Sequence, residues 1–484
     1  MGGFFGVFTE QDCVSDLFYG TDYHSHLGTS RGGMAVLDRD GRFLRSIHDI
    51  STAQFRSKFE DELPGMRGQA GIGVISDYES QPLIIGSHLG VYAIVTVGRI
   101  NNVADIVSRA FSSRVTHFSE MSGDGINPTE LAATLINTGG SFEEGVRYAQ
   151  EIIDGSCSML LLSADRVMYA ARDRFGRTPV IIGRRGGDWA ITMETTALPN
   201  LGYEVVKYLG PGEMVRIDEN GMETCLPAGD TLRICTFLWI YYGFPGSSYE
   251  GVNVESVRYR CGAALARRDN VEVDLVSGIP DSGTGHAIGY ANERRIPYGR
   301  PFAKYTPTWP RSFMPQRQET RDLVARMKLI PLQDLIQGKR ILFCEDSIVR
   351  GTQLRDTIQR LYDAGAREVH MRPACPPLLF GCRFLNFSRS RSDYDLLARR
   401  AIRELEGEKP VDLAIYADET SDQHAAMVDR MNRRLSLSTL RYQRMADMVE
   451  ATTLPKSKLC TYCWDGCEGC VPTASFEDRG PGSE

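Results

Sequence analysis

Two adjacent carboxylates end an apolar run in the stretch ILFCEDSIVRGTQ, residues 341–353. Glu345 and Asp346 repel each other, so the pair is unfavourable unless a partner offsets its charge. A divalent cation would do so, and the two vicinal hydroxyls of a ribose would satisfy the pair with hydrogen bonds. The next residues lead through Arg-Gly-Thr into a helical pattern, whose N-terminal amides suit a phosphate group. An ordinary acidic turn is the alternative, but the whole stretch favours one loop that holds a ribose and its 5′-phosphate.

Four of the twelve cysteines fall near the end of the chain, in CTYCWDGCEGC at residues 460–470. Twelve cysteines are too few for a disulfide scaffold in a chain of 484 residues, and in a reducing compartment such a cluster predicts metal binding. These thiolates could bind a zinc ion among themselves, through Cys460, Cys463, Cys467 and Cys470. The short spacing between the two pairs is tighter than in a zinc ribbon, so this interpretation is secondary.

The elements that position these residues change character near residue 230. In residues 1–230, short apolar runs are divided by Gly, Asn and Asp, which predicts strands and hairpins. Two stretches with helical periodicity, NPTELAATLINTG and SFEEGVRYAQEII, each begin with a capping residue. We therefore expect an α+β domain with much antiparallel sheet.

In residues 231–450, compact apolar runs alternate with helical patterns, which predicts a parallel sheet of βαβ units. We expect strands in the runs VEVDLVSGIP, RILFCED, EVHMRPACPP and VDLAIYAD, the last at residues 411–418. Such sheets bind ligands at the carboxyl ends of their strands, where the acidic loop and the loop PDSGTG (280–285) would both lie. Residues 451–484 form a tail rich in Cys, Gly and Pro.

The composition is that of a globular protein, with 42% hydrophobic and 24% charged residues. A net charge of −7, with acids and bases mixed, argues against broad nucleic-acid binding. No apolar run approaches the roughly 20 residues of a membrane span, and the start MGGFFGVFTEQD lacks the features of a secretory signal. We expect a cytoplasmic protein with neither a membrane nor a nucleic acid as partner.

The stretch 341–353 closely resembles the phosphoribosyl-pyrophosphate (PRPP) loop of type I phosphoribosyltransferases, in the form typical of the amidophosphoribosyltransferases of purine synthesis. Residues 235–262 and 279–300 are similar to the family's stretch entering the transferase domain and to its pyrophosphate loop. The resemblance covers about residues 2–470. It implies a class II glutamine amidotransferase sandwich of the N-terminal-nucleophile (Ntn) hydrolase type, followed by an α/β type I phosphoribosyltransferase domain. Two departures are Glu345 and Gln353, where the family has Asp and usually Thr.

The resemblance implies a site for Mg²⁺ and PRPP. Glu345 and Asp346 would hold the ribose hydroxyls and, with Ser282, the metal. The 5′-phosphate and pyrophosphate sites would include Ser347, Arg350, Gly351 and Thr352, and Asp281, Ser282 and Gly283. The segment 300–329 stands where the family has its closing loop and offers the cations Lys304, Arg311, Arg326 and Lys328. Its family motif is replaced by YTPTWPRSF, and two prolines stiffen it. Mg²⁺ would neutralise the leaving pyrophosphate while an amine attacks C1.

The front domain has lost residues of the family's glutaminase. Gly2 stands where the nucleophilic cysteine belongs, and glycine cannot be a nucleophile. Val74 and Ile75 occupy the place of the arginine that clamps the substrate carboxylate, and an apolar chain cannot pair with it. Val97 and Arg99 replace two asparagines, one of which lines the oxyanion hole. We expect the domain to fold without hydrolysing glutamine; Cys13, the nearest other thiol, is not terminal.

Some family members hold a [4Fe–4S] cluster, and the resemblance implies its four ligands here: Cys235, Cys382, Cys460 and Cys463. Four thiolates is the number that such a cluster needs. Scattered buried thiols are the structural alternative. Cys467 and Cys470 have no counterpart in the family pattern.

Three functions remain open at this point. The family relation favours synthesis of 5-phosphoribosylamine and pyrophosphate from PRPP and ammonia, free or supplied by a partner subunit. The altered closing segment also permits another amine or base as the acceptor. The change at Glu345 leaves room for a regulatory homologue that binds PRPP without catalysis and assembles with an active relative. The family's assembly implies a homo-oligomer.

Overall fold

The computed structural model describes residues 2–112, 117–122, 125–304, 329–386 and 395–467. The N-terminal half is built on two antiparallel sheets, with strand orders β13-β11-β12-β1-β4-β2-β3 and β15-β14-β10-β9-β6-β5. Its strands are β1 (Gly3–Phe8), β2 (Arg31–Leu37), β3 (Phe43–Asp49), β4 (Ala70–Ser76), β5 (Leu83–Ser87), β6 (Gly90–Ile100), β7 (Met121–Ser122), β8 (Gly125–Ile126), β9 (Gly155–Ser163), β10 (Met168–Ala171), β11 (Ile181–Arg185), β12 (Asp188–Thr192), β13 (Glu204–Tyr208), β14 (Met214–Asp218) and β15 (Gly221–Leu226).

The two sheets pack face to face between two layers of helices. Strand β1 is buried on both faces, because Phe4 and Phe8 pack against the second sheet while Phe5 and Val7 pack against helix α1. The helices of this half are α1 (Val14–Asp22), α2 (Phe55–Phe59), α3 (Val103–Ser112), α4 (Pro128–Ile136), α5 (Phe142–Ile152) and α6 (Ala197–Asn200). The first two and the last cover the first sheet, and α3 to α5 cover the second. The predicted α+β sandwich is thus confirmed.

The two predicted helix starts are also confirmed. The Asn127 side chain accepts a hydrogen bond from the Thr129 amide and begins α4, and the Ser141 hydroxyl accepts one from the Glu144 amide and begins α5. Each cap satisfies an amide that has no partner inside its helix.

The C-terminal half contains a four-stranded parallel sheet of order β19-β22-β23-β24. Its strands and the shorter ones around it are β16 (Ile234–Cys235), β17 (Ser248–Tyr249), β18 (Val252–Asn253), β19 (Leu275–Gly278), β20 (Phe302–Lys304), β21 (Leu329–Pro331), β22 (Arg340–Glu345), β23 (Glu368–Pro373), β24 (Thr439–Leu440) and β25 (Leu459–Cys460).

Helices cover both faces of the parallel sheet. They are α7 (Val254–Arg267), α8 (Gly283–Arg294), α9 (Gln333–Ile336), α10 (Thr352–Asp363), α11 (Leu397–Glu406), α12 (Leu413–Ala417), α13 (Asp422–Leu435), α14 (Met445–Thr452) and α15 (Tyr462–Asp465). Helices α7 and α8 pack on one face around Leu342 and Cys344. Helices α10, α11 and α13 pack on the other face around Ile341 and Phe343. Because both faces are buried, β22 reads as a continuous apolar run.

The strand predicted at residues 411–418 is wrong. This run forms the short helix α12, and its beginning is capped by Asp412, whose side chain accepts from the Ala414 amide. The fourth strand is instead β24, two residues long and parallel to β23. The local Asp cap, which the apolar pattern does not reveal, overrides the strand pattern.

The segment before the parallel sheet pairs with the end of the described chain. Strands β16 and β25 are parallel, with Cys235 opposite Cys460. The Phe237 and Trp464 rings stack with centroids 4.7 Å apart in a shared core. Within the described ranges, no helix combines the length and apolar character that a membrane span requires.

Candidate active site

The acidic loop lies between the end of β22 and the start of α10, at the carboxyl edge of the parallel sheet. Gly351 precedes the helix with a φ of 73°, in the left-handed region that favours glycine. A side chain there would also collide with Leu397, whose Cδ2 lies 2.9 Å from the position of an added Cβ. The loop therefore presents a helix N-terminus beside Glu345 and Asp346, the arrangement that suits a bound phosphate.

Asp346 is the centre of a hydrogen-bonded cluster. It is buried, and its Oδ2 accepts from the Ser282 hydroxyl while its Oδ1 accepts from the Ser347 hydroxyl, each at 2.5 Å. Ser282 belongs to the loop after β19, so the two predicted loops meet at this carboxylate. A ribose hydroxyl could replace either serine as donor.

The carboxyl group of Glu345 has a strongly shifted pKa. Burial, followed by the neighbouring Asp346 carboxylate, raises its pKa well above the ordinary value. Its Oε1 accepts only weakly from the Asp346 amide, at 3.2 Å. A cation bound here would favour the ionised form of Glu345 and so offset this shift.

The second loop is brought close by tight backbone packing. An added Cβ at Gly283 would lie 2.4 Å from the Cys344 carbonyl oxygen, so only glycine permits this approach of α8 to β22. Asp281 in the same loop pairs with the Lys304 ammonium, which reaches it from β20. The predicted residues Asp281, Ser282, Gly283 and Lys304 thus lie around one edge with the acidic pair.

Other predicted residues lie elsewhere or outside the described ranges. The Arg350 side chain is exposed and pairs with Asp395 at 3.2 Å, while Thr352 is the first residue of α10. Arg311 and Lys328 fall in 305–328, outside the residues that the structure describes.

The resemblance implies a glutaminase site at Gly2, where the structure has a small cavity lined by Gly2, Val97, Gly98 and Cys157, among others. Its volume is about 20 Å³, enough for about one water molecule. An added Cβ at Gly2 would lie 2.7 Å from the Ile75 carbonyl oxygen. Asn386, from the other half of the chain, reaches the cavity and donates to the Gly98 carbonyl at 3.3 Å.

The four cysteines predicted as cluster ligands lie near one another. Cys235 and Cys460 are opposite each other in β16 and β25, and the thiols of Cys382 and Cys463 are hydrogen-bonded. The Cys463 hydrogen bond lowers the pKa of Cys382 to about 6, whereas burial raises that of Cys460 to about 11. The described residues contain no group of three or more His, Cys, Asp or Glu side chains already placed to hold a metal ion.

Two contacts to this group were not predicted from the sequence. The Arg177 Nη1 donates to Cys460 Sγ at 3.0 Å, and its guanidinium lies 3.2 Å from the centroid of the Phe384 ring. The Leu385 amide donates to Cys382 Sγ at 3.3 Å. Both donors favour thiolates, the form in which cysteine binds metal. No local signal could identify Arg177, because its partners lie more than two hundred residues away in the chain.

The alternative zinc set extends beyond the described residues. Cys467 is half-buried, and its amide donates to Asp465 at 3.0 Å. Cys470 lies outside the described ranges.

The fold and the site define a class of protein: a glutamine-amidotransferase-like sandwich joined to a phosphoribosyltransferase-like sheet with an acidic loop. A family model described as a glutamine amidotransferase domain matches residues 70–200. The chain is 30% identical over 479 residues to the amidophosphoribosyltransferase of Mycobacterium tuberculosis, covering 96% of this chain and 85% of that protein. The Bacillus subtilis amidophosphoribosyltransferase is 29% identical over 418 residues, 84% of this chain and 85% of that protein.

Solved structures agree with these relatives. The glutamine PRPP amidotransferase of B. subtilis, complexed with ADP and GMP, matches with a TM-score of 0.82 and 25% identity, covering 98% of both chains. This chain belongs to the amidophosphoribosyltransferase family of purine biosynthesis, as the resemblance implied.

Proposed function

We propose that this chain forms 5-phosphoribosylamine and pyrophosphate from PRPP and ammonia. The observation that carries the proposal is the carboxylate of Asp346, held by Ser282 and Ser347 at a helix N-terminus. A ribose hydroxyl pair and a 5′-phosphate need such an acceptor and such amides within a few ångströms of each other.

Each residue of the site would bind a different part of PRPP or the metal ion. Asp346 accepts the ribose hydroxyls, and the amides around Gly351 and Thr352 bind the 5′-phosphate. Lys304 is placed beside Asp281 to meet the pyrophosphate, with Arg311 and Lys328 as further proposed cations. Ser282, Glu345 and Asp346 offer the oxygen atoms that Mg²⁺ prefers. When bound, Mg²⁺ would neutralise the charge of the leaving pyrophosphate.

Loss of glutamine hydrolysis is the second part of the proposal. Gly2 supplies no nucleophile, the remaining cavity holds about one water molecule, and the Ile75 carbonyl stands where a side chain at position 2 would begin. Ammonia would then come from solution or from an active partner subunit, and the chain would assemble as a homo-oligomer like its relatives.

A [4Fe–4S] cluster would be held by Cys235, Cys382, Cys460 and Cys463. The four cysteines lie near one another in β16, β25 and the segments around Cys382 and Cys463, and Arg177 and the Leu385 amide supply donors to sulfur. A zinc ion in the C-terminal segment is the alternative. Visible absorbance with iron and zinc analysis after anaerobic purification distinguishes the two.

Two other functions have an observation in their favour. Burial and the neighbouring Asp346 raise the pKa of Glu345, so protons would compete with Mg²⁺ for this carboxylate, which favours a PRPP-binding regulatory homologue without catalysis. The replaced motif in the closing segment favours an amine other than ammonia as the acceptor.

The deciding experiment is PRPP-dependent pyrophosphate release with ammonium, with glutamine and with neither. We expect release with ammonium alone. Release with glutamine at the same rate would contradict the loss of the glutaminase. No release with either, despite measurable PRPP binding, would contradict ammonia-dependent transfer and favour a regulatory role or another acceptor.

A further inference from the structure

A cavity of about 540 Å³ lies beside the edge strand β24, and we name it the edge cavity. Its walls come from the end of α7, Arg372 in β23, α13 and residues 438–444. None of its lining residues belongs to the acidic loop at 345–352 or to the loop at 280–285. Its volume lies within the range of small-molecule sites, about 300–1,000 Å³.

The floor of the edge cavity contains a buried guanidinium with a free donor. Arg372 is 1% exposed, and its Nε donates to Asp269 while its Nη1 donates to Thr439 Oγ1 at 3.0 Å. Its Nη2 has no hydrogen-bond partner in the part of the chain that the structure describes. A buried N–H without a partner is unfavourable, so this atom indicates a missing acceptor.

A second atom in the wall is also unsatisfied. Asn432, on α13, carries a buried Oδ1 for which the described residues offer no donor. The cavity thus has an unused donor from the sheet and an unused acceptor from the helix. Both atoms are buried just behind the cavity surface, so a ligand with one acceptor group and one donor group would satisfy them once the two side chains turn toward it.

The charges in the cavity favour an anion. The guanidiniums of Arg372 and Arg441 share the single carboxylate of Asp269, the second at 3.6 Å. Arg444, by contrast, has its own partner in Glu419 at 3.2 Å. Two further charged lining residues are paired outside the cavity, Arg268 with Asp447 and Asp429 with Arg433. Among the described residues one positive charge is therefore left without a counter-ion, and guanidinium groups match planar or tetrahedral oxyanions.

The remaining wall is mixed, and one part of it is apolar. Leu265, Val428 and Leu440 line the cavity away from the charged groups. A simple inorganic anion would leave this wall unused, whereas an organic anion would cover it and gain from the burial of apolar surface.

We propose that the edge cavity binds a small organic monoanion, with an oxyanion group on Arg372 and Arg441, an apolar body and a donor for Asn432. The site is separate from the acidic loop and is a second ligand site of the chain.

The test uses the full chain and the fluorescent probe anilinonaphthalene sulfonate, a monoanion with an apolar aromatic body. Ala425 lines the cavity on α13, so Ala425→Trp would fill it; Ala426→Trp, next to it and exposed but outside the lining, is the matched control. Arg441→Gln tests the anion contact; its control is Arg403→Gln, an exposed arginine of α11 that also pairs with a carboxylate, Glu408, and does not line the cavity. Equal unfolding temperatures verify that all variants fold.

We expect one saturable site on the parent chain, lost or at least about tenfold weaker in Ala425→Trp and Arg441→Gln, and unchanged in both controls. Equal binding by all variants, or no saturable binding, would overturn the proposal. Displacement of the probe by PRPP would place it at the acidic loop and would also overturn it. A change of oligomeric state in Ala425→Trp with unchanged probe binding would assign the cavity to subunit contact instead.

Discussion

Replacement of Asp346 by Asn tests the proposed PRPP site most directly. The Asp346 carboxylate is buried and accepts from two hydroxyls, at 2.5 Å each, which a ribose hydroxyl pair would supplement or replace. Asn keeps the shape but loses the charge and turns one acceptor into a donor. That donor would face a hydroxyl and a helix N-terminus, both arranged for a negative group.

The expected loss follows from these two contacts. A hydrogen bond to a charged group is worth about 1.5–3 kcal/mol, so two weakened bonds cost about 3 kcal/mol or more. At about 1.4 kcal/mol per factor of ten, kcat/KM for PRPP should fall by at least about 10²-fold. The assay is pyrophosphate release with saturating ammonium at several PRPP concentrations. Asp356→Asn, an exposed change on α10, is the matched control and should remain within about twofold of the parent.

A smaller loss would refute this assignment. If Asp346→Asn kept kcat/KM within about threefold of the parent, the carboxylate would not contact the substrate. If both variants lost activity and unfolded at lower temperature, the effect would be one of folding. The comparison tests substrate contact only when the Asp346→Asn variant and the Asp356→Asn control unfold at the same temperature.

Three further predictions concern the rest of the chain. Gly2→Cys should give no glutamine-dependent pyrophosphate release, because the new side chain meets the Ile75 carbonyl. Ammonium-dependent release should persist in the same preparation, and glutamine-dependent release would contradict the prediction. Arg177→Met should lower the iron and sulfide retained per chain severalfold, whereas the exposed Arg174→Met should not. Equal iron and sulfide contents in the two variants would contradict the role of the Arg177 contact to Cys460. Glu194→Gln should reduce stability at pH values above the ordinary carboxyl pKa and should make acid unfolding less steep. Burial raises the pKa of Glu194, but its partners, His26 first, outweigh burial and hold the pKa below its ordinary value, so the stability from the ionised form is lost as pH falls through the folded-state pKa. Acid unfolding is followed by circular dichroism with the exposed Glu223→Gln as control, and an unchanged acid limb would contradict this prediction.

The sequence predicts the candidate site best where the functional residues are contiguous in the chain. The acidic loop is contiguous, so its place between a buried strand and a helix could be predicted from thirteen neighbouring letters, and β22 and α10 confirm it. The sequence predicts a strand over residues 411–418, where the structure has the helix α12 (Leu413–Ala417), because an apolar run of that length fits either element and a single Asp cap decides between them.

Nonlocal contacts could not be predicted in the same way. The edge cavity is formed by segments near residues 268, 372, 428 and 441, whose meeting depends on the whole sheet. The hydrogen bond from Ser282 to Asp346 joins two loops sixty-four residues apart. The resemblance to a family implied that second contact, but no periodicity or spacing in this chain did.

The changes in the front domain have a consequence that their sequence alone does not show. Arg99 stands where the family has an asparagine, which the sequence indicates only as a loss. In the structure its Nη1 donates to the Cys382 carbonyl at 2.7 Å, and Asn101 donates to the Arg383 carbonyl at 2.9 Å. Strand β6 and the residues just after it therefore support the backbone of a proposed cluster ligand.

This support gives a physical reason for the front domain to remain even if it has lost glutaminase chemistry, as proposed above. Arg177 reaches Cys460 from the same half of the chain and its carbonyl accepts from the Cys235 amide, so the front domain contacts three of the four proposed ligands. Removing the domain would leave the Cys382 segment without these backbone partners and Cys460 without its cation. A buried thiol that loses a neighbouring cation becomes harder to ionise, and metal binding by thiolates then weakens. On this argument the front domain is retained for the assembly of the transferase half, and its own cavity could shrink to the volume of one water molecule without loss of that role.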